Sequence, residues 1–230
     1  MTTTDWIDGL SADRLICEFS AWSADLTRLA DDMARIAPYV DLLHVDVADG
    51  HFAPALLFFP DLVAALRKTC AARIHTHLMV ADPILLDQIG RFADAGSDLI
   101  SIHAENGNVD AALDLLERRG IAAGLVLKVE TPVDAVARHL SRLRFMTLLG
   151  TAIGIKGVGL DPQATERLRE AKALIAAARL PHRVVLAADG GIRENTVPLL
   201  RAAGAETVVL GSLAFGAPNL PKRIAWLHAL

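Results

Sequence analysis

The chain has 230 residues, 53% hydrophobic and 22% charged. That supplies one sizeable core, leaves little room for a second domain and excludes a disordered chain. Formal net charge is −4, so no basic surplus exists to neutralise a nucleic-acid backbone. Two cysteines, Cys17 and Cys70, are too few for a disulfide framework and fit a reducing, cytoplasmic compartment.

The segment Met1–Asp8 is polar and carries acids where a signal peptide carries Lys or Arg. The longest apolar stretch, Pro54–Leu66, is interrupted by Pro60 and Asp61 and falls short of the ~18–20 residues of a membrane span. A soluble protein with no membrane partner is expected.

One pattern recurs along the chain: a short apolar run, a polar or Gly-rich turn, then a segment of helical period. Strands are expected at Leu15–Phe19, Asp41–Asp46, Arg73–Met79, Asp98–His103, Ala122–Lys128, Phe145–Leu149, Arg183–Ala187 and Thr207–Leu210. They read as parallel strands buried on both faces. The first helix should place Leu26, Leu29, Met33 and Ile36 on one face, and the sixth Leu168, Ala171 and Ile175. Asp82-Pro83, Thr131-Pro132 and Asp161-Pro162 each put a capping side chain before a Pro suited to the first helical position. Gly96, Gly120 and Gly204 end helices before new strands. Eight such units in this length argue for an α/β fold, a (β/α)8 TIM barrel forming a single domain over residues 1–230. Residues 1–14 would be an N-terminal extension packing on the barrel. An open doubly wound sheet is the weaker option.

Catalytic groups of a barrel lie at the C-terminal ends of its strands. Strand 2 ends in His44-Val45-Asp46, so His44 and Asp46 share a face; His75 and His77 do so on strand 3. Asp189 ends strand 7. Two imidazoles and two carboxylates, from His44, Asp46, His77 and Asp189, make a site for a divalent transition metal with coordination room left for a substrate. Gly190-Gly191 and Gly211-Ser212 follow the last two strands, where barrels hold phosphate on backbone N–H groups. The bland alternative for these glycines is a pair of tight turns.

At these residues the sequence resembles the ribulose-phosphate 3-epimerase family, over roughly Ile16 to Asn219. The landmarks are Phe19-Ser20-Ala21-Trp22-Ser23-Ala24-Asp25, His44 through Pro54, His77-Leu78-Met79-Val80, His103-Ala104-Glu105, Asp189-Gly190-Gly191 and Gly211 through Gly216. The resemblance implies one bound metal, often zinc, with iron, cobalt or manganese able to serve, and no organic cofactor. It implies His44, Asp46, His77 and Asp189 as ligands, Asp46 and Asp189 as the acid/base pair, and Ser20 and Met79 as substrate contacts. The glycine turns at Gly190-Gly191 and Gly211-Ser212 would hold the phosphate. The expected activity is inversion of the carbon next to the carbonyl of a ketose phosphate, a pentulose 5-phosphate such as ribulose 5-phosphate or a related sugar phosphate. Two carboxylates suit it, because a proton leaves one face and another returns to the opposite face. A metal would polarise the carbonyl and stabilise the enediolate between the two transfers. Family relatives form dimers or hexamers, so a homo-oligomer is expected.

The chain departs from the family pattern around the presumed pocket. The loop after strand 6 keeps Met146-Thr147 but lacks the usual Pro-Gly-Phe and Gln, and brings in Lys156. We expect a mobile lid in which Lys156 meets the phosphate; an exposed, solvated lysine is the alternative. His75 replaces a usual Asp, Ala48 a Met, Ala55 an Asn, and Trp22 a small aliphatic residue. These changes leave the metal and acid/base set intact and point to an altered sugar. Two further readings stand beside the epimerase. One is a phosphate-binding barrel lyase or aldolase, disfavoured because Asp46-Val47-Ala48-Asp49 carries no lysine. The other is a non-catalytic sugar-phosphate binder, disfavoured because a binder has no need of two opposed carboxylates.

Overall fold

Each of eight short strands sends alternate side chains into the barrel interior and out beneath the helices. The computed structural model describes residues 4–230. The strands are β1 (Ile16–Ser20), β2 (Leu42–Ala48), β3 (Arg73–Met79), β4 (Leu99–His103), β5 (Ala122–Leu127), β6 (Phe145–Leu149), β7 (Val185–Asp189) and β8 (Thr207–Leu210). They pair in parallel in chain order, and β8 pairs with β1 to complete a closed barrel. The helices are α1 (Leu29–Ile36), α2 (Pro60–Thr69), α3 (Asp82–Asp94), α4 (Val109–Arg119), α5 (Ala164–Ala178), α6 (Val197–Ala203), α7 (Ser212–Phe215) and α8 (Leu220–His228). A 3₁₀ helix, Val133–Arg142, fills the place between β5 and β6.

Outward residues of the strands, such as Phe19, Val45, Leu78, Ile102 and Leu186, pack under the helices in one large apolar cluster. Helix α4 shows the fit: Val109, Ala112, Leu113 and Leu116 recur at helical spacing and are buried, and Gly120 ends it in the left-handed region at φ 66°. Inward residues form layers. The lowest layer is apolar: Ile16, Leu42, Leu99, Ala122, Phe145, Val185 and Ala187 pack around Ile7 of an N-terminal 3₁₀ turn, Asp5–Ile7. Ile7 thus plugs the end of the barrel opposite the strand C-termini. Met1–Thr3 of the expected extension lie outside the described residues.

Several local expectations are corrected. Helix α1 begins at Leu29, and Leu26 is exposed. Asp25 takes the amide and hydroxyl of Thr27 at 2.9 and 2.6 Å, which holds a turn where the helical pattern would have started. None of the three expected caps seats its helix. Asp82 is already the first residue of α3, and its carboxylate accepts from Asn106 Nδ2 at 2.9 Å and the Gly107 amide at 3.1 Å. The Thr131 hydroxyl donates to Glu105. Asp161 accepts from the Gln163 amide at 2.8 Å, ahead of a helix that starts at Ala164. Strands β2 and β7 also run further than expected, to Ala48 and Asp189. No helix among the described residues is long and apolar enough to cross a membrane.

Candidate active site

Period-two alternation builds the site. On β2, Leu43, Val45 and Val47 join the outer apolar cluster. His44 and Asp46 therefore point into the barrel. On β3 the same rule turns His75, His77 and Met79 inward, and β7 delivers Asp189 from across the ring. His44, Asp46, His77 and Asp189 each offer a ligand atom within 4.8 Å of the others.

His44 Nε2 lies 3.1 Å from Asp46 Oδ1, and His77 Nδ1 lies 3.5 Å from Asp46 Oδ1 and 3.7 Å from Asp189 Oδ2. Ser20 Oγ donates to Asp46 Oδ2 at 2.8 Å. His77 Nδ1 is buried without a hydrogen-bond partner among the described residues. Its neighbours explain what it carries. His103 Nδ1 is 3.0 Å from Glu105 Oε2, and a carboxylate only accepts, so His103 Nδ1 is a donor. Burial drives the His103 pKa down to about 4, so its ring is neutral and Nε2 accepts. The donor to it is His77 Nε2, at 2.9 Å. With Nε2 committed to His103, His77 has only Nδ1 left, and it is aimed between two carboxylates. Ligands about 2.1 Å from a tetrahedral ion stand about 3.4 Å apart, which these spacings match. The donor set, two imidazole nitrogens and two carboxylate oxygens, fits a divalent transition metal.

The two carboxylates differ electrostatically. Burial opposes ionisation of Asp46, but His44 and His77 beside it outweigh that and hold its pKa well below the usual carboxylate range. Asp189 is pushed up to about 6, chiefly by burial. His44 is raised well above a free imidazole: burial lowers it, and Asp46 and Glu18 more than compensate.

Above the cluster opens a cavity of about 500 Å³. Ser20, Asp46, His77, Met79, Lys156, Asp189, Gly190, Gly191, Gly211 and Ser212 all line it; His44 lies beneath it, fully buried. Gly190 and Gly191 have φ of 89° and 70°, and a Cβ on Gly190 would stand 2.3 Å from Thr151 Oγ1. Both therefore need the conformational freedom and small size of glycine. Lys156 Nζ donates to the Trp22 carbonyl at 2.5 Å and sits over the Trp22 ring.

Two expectations about the pocket are corrected. Ala48 and Ala55 do not line the cavity; they pack with Ala53, Met79 and Ile153 in a small apolar cluster beside it. Arg193, not singled out in the sequence, does line it, and it makes no ion pair among the described residues. Its position two residues beyond Gly191 is the signal that would have found it. Glu18, the residue two before Ser20 on β1, also went unremarked; it reaches His44 and His75. A second group, Cys17, Asp41 and His228, lies where Arg14 takes both Asp41 oxygens at 2.6 and 2.7 Å and stands 3.0 Å from His228 Nε2. A guanidinium at its centre makes that group an ion-paired cluster and not a cation site. Lys128 stacks on Phe52 with Nζ 4.1 Å from the ring centre, outside the cavity.

Comparison with known proteins identifies the family. Residues 16–215 match the model of the ribulose-phosphate 3 epimerase family. The chain is 36% identical over 206 residues to a ribulose-phosphate 3-epimerase of Cupriavidus necator, covering 87% of this chain and 84% of that one. It is 35% identical over 210 residues to the ribulose-phosphate 3-epimerase of Escherichia coli K12, covering 89% and 91%. The enzyme of the same name from Bacillus subtilis is 30% identical over 208 residues, covering 90% and 94%. Among solved structures, 3-hexulose-6-phosphate synthase superposes with a TM-score of 0.65 at 16% identity, covering 94% of this chain and 99% of that one. Orotidine 5'-phosphate decarboxylase from Pyrococcus horikoshii gives 0.65 at 13%, covering 92% and 97%; at such identities the likeness is one of fold. The chain belongs to the ribulose-phosphate 3-epimerase family and is, with it, an isomerase.

Proposed function

We propose that this protein is a metal-dependent epimerase that inverts the carbon next to the carbonyl of a ketose phosphate, with ribulose 5-phosphate as the first candidate. The observation that carries the reading is the buried Nδ1 of His77, without a hydrogen-bond partner among the described residues and held between carboxylates from strands on opposite arcs of the barrel. His44, Asp46, His77 and Asp189 would hold one divalent ion, zinc first, with iron, cobalt or manganese as alternatives. Bound there, the ion would supply positive charge to the carbonyl oxygen and to the oxygens of the enediolate as charge develops on them.

The chain's own residues then divide the work. Asp46, ionised and oriented by Ser20, takes the proton from one face of the substrate carbon. Asp189, whose carboxyl titrates near neutrality, returns a proton to the other face. β2 and β7 are separated by β1 and β8, so the two carboxylates approach a planar intermediate from different sides. Met79 packs at the cavity wall. The backbone at Gly190-Gly191 and Gly211-Ser212 receives the phosphate, with Lys156 and Arg193 as its cations. The indole of Trp22, drawn to Lys156, narrows the mouth and selects the sugar. The reading places the enzyme in the cytoplasm as a homo-oligomer, a dimer or hexamer, which the exposure of Leu56 and Phe59 beside the mouth supports.

The test is a ketose-phosphate panel in deuterated water. Metal-stripped protein is loaded in turn with zinc, manganese, cobalt or iron, and products are followed by NMR. Deuterium incorporation at the inverted carbon without carbon–carbon cleavage is expected, and chelation should abolish it. Cleavage products would reassign the chain to the lyases. Saturable binding without exchange would make it a binding protein.

A further inference from the structure

Beneath the four-residue cluster lies a second buried polar layer that the reaction as described does not use. Glu18 is 0% exposed, and no lysine or arginine among the described residues pairs with it. Its Oε1 is 2.7 Å from His44 Nδ1 and also meets His75 Nδ1. His75 Nε2 lies 2.6 Å from Ser101 Oγ, and Glu18 Oε2 lies 3.5 Å from Thr207 Oγ1. Space for this chain is made on β5: a Cβ on Gly124 would fall 2.0 Å from Ser101 Oγ.

The direction of every bond follows from the atoms. A carboxylate oxygen has no proton to give, so both Nδ1 atoms donate to Glu18. His75, with its proton on Nδ1, accepts at Nε2 from the Ser101 hydroxyl. His44 also donates through Nδ1; without an ion its Nε2 donates to Asp46 Oδ1, and with one bound the retained Nδ1 proton would leave the Nε2 lone pair for the ion. That nitrogen faces Asp46 Oδ1 at 3.1 Å, in the place where a shared cation would sit. Four strands, β4, β3, β1 and β2, thus pass one preference, from Ser101 through His75 and Glu18, to a single ring.

We infer that Glu18, backed by His75 and Ser101, is a positioning residue that locks His44 in the tautomer able to ligate through Nε2 and so sets the affinity of the site for its divalent ion. The inference rests on the reading that the cluster holds an ion. An imidazole hydrogen-bonded to a carboxylate is a stronger and better aimed donor than a free one, and loss of such support costs about 10–100-fold in metal affinity. The same layer explains why His75 is tolerated at its position: it is a hydrogen-bond donor that steadies Glu18, not a fifth ligand.

The experiment has two arms. In the first, the histidine tautomers of zinc-loaded wild-type protein are read by 15N NMR; His44 should carry its proton on Nδ1 and zinc on Nε2. The second arm measures zinc affinity by competition with a chromophoric chelator. Wild type should bind one zinc per chain, Glu18→Leu should bind about 10–100-fold more weakly, and Glu18→Gln, which can still accept from Nδ1, should recover most of the loss. Proton on Nε2 of His44, or a Glu18→Leu variant that binds as tightly as wild type, overturns the inference and leaves the metal reading intact. Two zinc ions per chain also overturns it, since Glu18 and His75 would then be ligands. Absence of zinc binding by the wild type removes the metal reading itself. The tautomer arm needs no variant, so a Glu18→Leu chain that fails to fold does not shelter the inference.

Discussion

Lys156 is anchored to Trp22 across the mouth of the cavity: its ammonium donates to the Trp22 carbonyl at 2.5 Å and lies 4.2 Å from the centre of the Trp22 indole. Burial lowers its pKa, while the charge of Asp46 acts the other way. With no carboxylate partner among the described residues, Lys156 at the rim is free to trade a carbonyl for a phosphate. Lys156→Met should raise KM for the sugar phosphate about tenfold with kcat little changed, equivalent to about 1.4 kcal/mol of binding. Steady-state kinetics on the best ketose phosphate decide it, and an unchanged KM would remove Lys156 from the phosphate site.

Asp46→Asn and Asp189→Asn should each lower kcat by about 10²–10⁴-fold, the range for a lost general acid or base. They should also fail differently. With one carboxylate left, each variant should exchange solvent deuterium into one epimer faster than it interconverts the two. Equal loss of exchange from both epimers in both variants would show that a single group serves both faces.

Gly190→Ala places a methyl 2.3 Å from Thr151 Oγ1 at φ 89°. The left-handed conformation alone costs about 1–3 kcal/mol for a residue with a Cβ. We expect a loss of stability of at least that size in urea unfolding, with a further loss of phosphate affinity as the turn opens. A variant as stable as wild type would mean that this turn relaxes freely.

Glu105 supplies a pH prediction. Burial alone would raise its carboxyl, but bonds from His103, Thr131 and the Lys128 amide prevail and hold it at about 2, against an ordinary 4.5. The folded state thus binds the proton more weakly than the unfolded chain. The resulting stability is fully present above about pH 4.5 and is lost as pH falls toward 2. Wild type and Glu105→Gln should therefore differ most in unfolding midpoint near pH 7, with the gap shrinking below pH 4.5. A gap of constant size from pH 7 to pH 3 would show that the carboxylate charge contributes nothing.

Cys17 should resist modification. Burial pushes its thiol up to about 12, so almost no thiolate exists at pH 8. Neither cysteine should react with a disulfide reagent in the folded protein, and both should react in urea. Rapid labelling of Cys17 in the native state would contradict its burial.

What the sequence revealed and what it hid follow from the range of the forces involved. His44 with Asp46, and His75 with His77, were legible because a strand's period is two and one helix unit follows another. Glu18 obeys the same rule relative to Ser20, yet its meeting with two histidines depends on stagger between strands. Glu18 stands opposite Leu42 on β2, and it is Ser20 that stands opposite His44. No local pattern encodes that diagonal reach. Leu26 misled for a local reason: its spacing is helical, but Asp25 offers the Thr27 backbone a competing bond. Asp82 misled for a distant one, since its oxygens serve Asn106 and Gly107 on the next loop. Arg193 was legible only in part: it stands two residues beyond Gly191, but the glycine pair alone does not say that its side chain lines the cavity.

The stacking of an apolar floor, an ionic storey of Glu18, His44, His75 and Ser101, and an open rim separates reactivity from selectivity along the chain. On the proposed reading the reaction belongs to strand residues, whereas the cavity wall that would discriminate among sugars is built by Trp22 and the segment 151–158. A mutational library confined to that rim would sample new substrates without disturbing the hearth below. Such modularity makes this scaffold a ready starting point for evolving epimerases of longer or branched sugars.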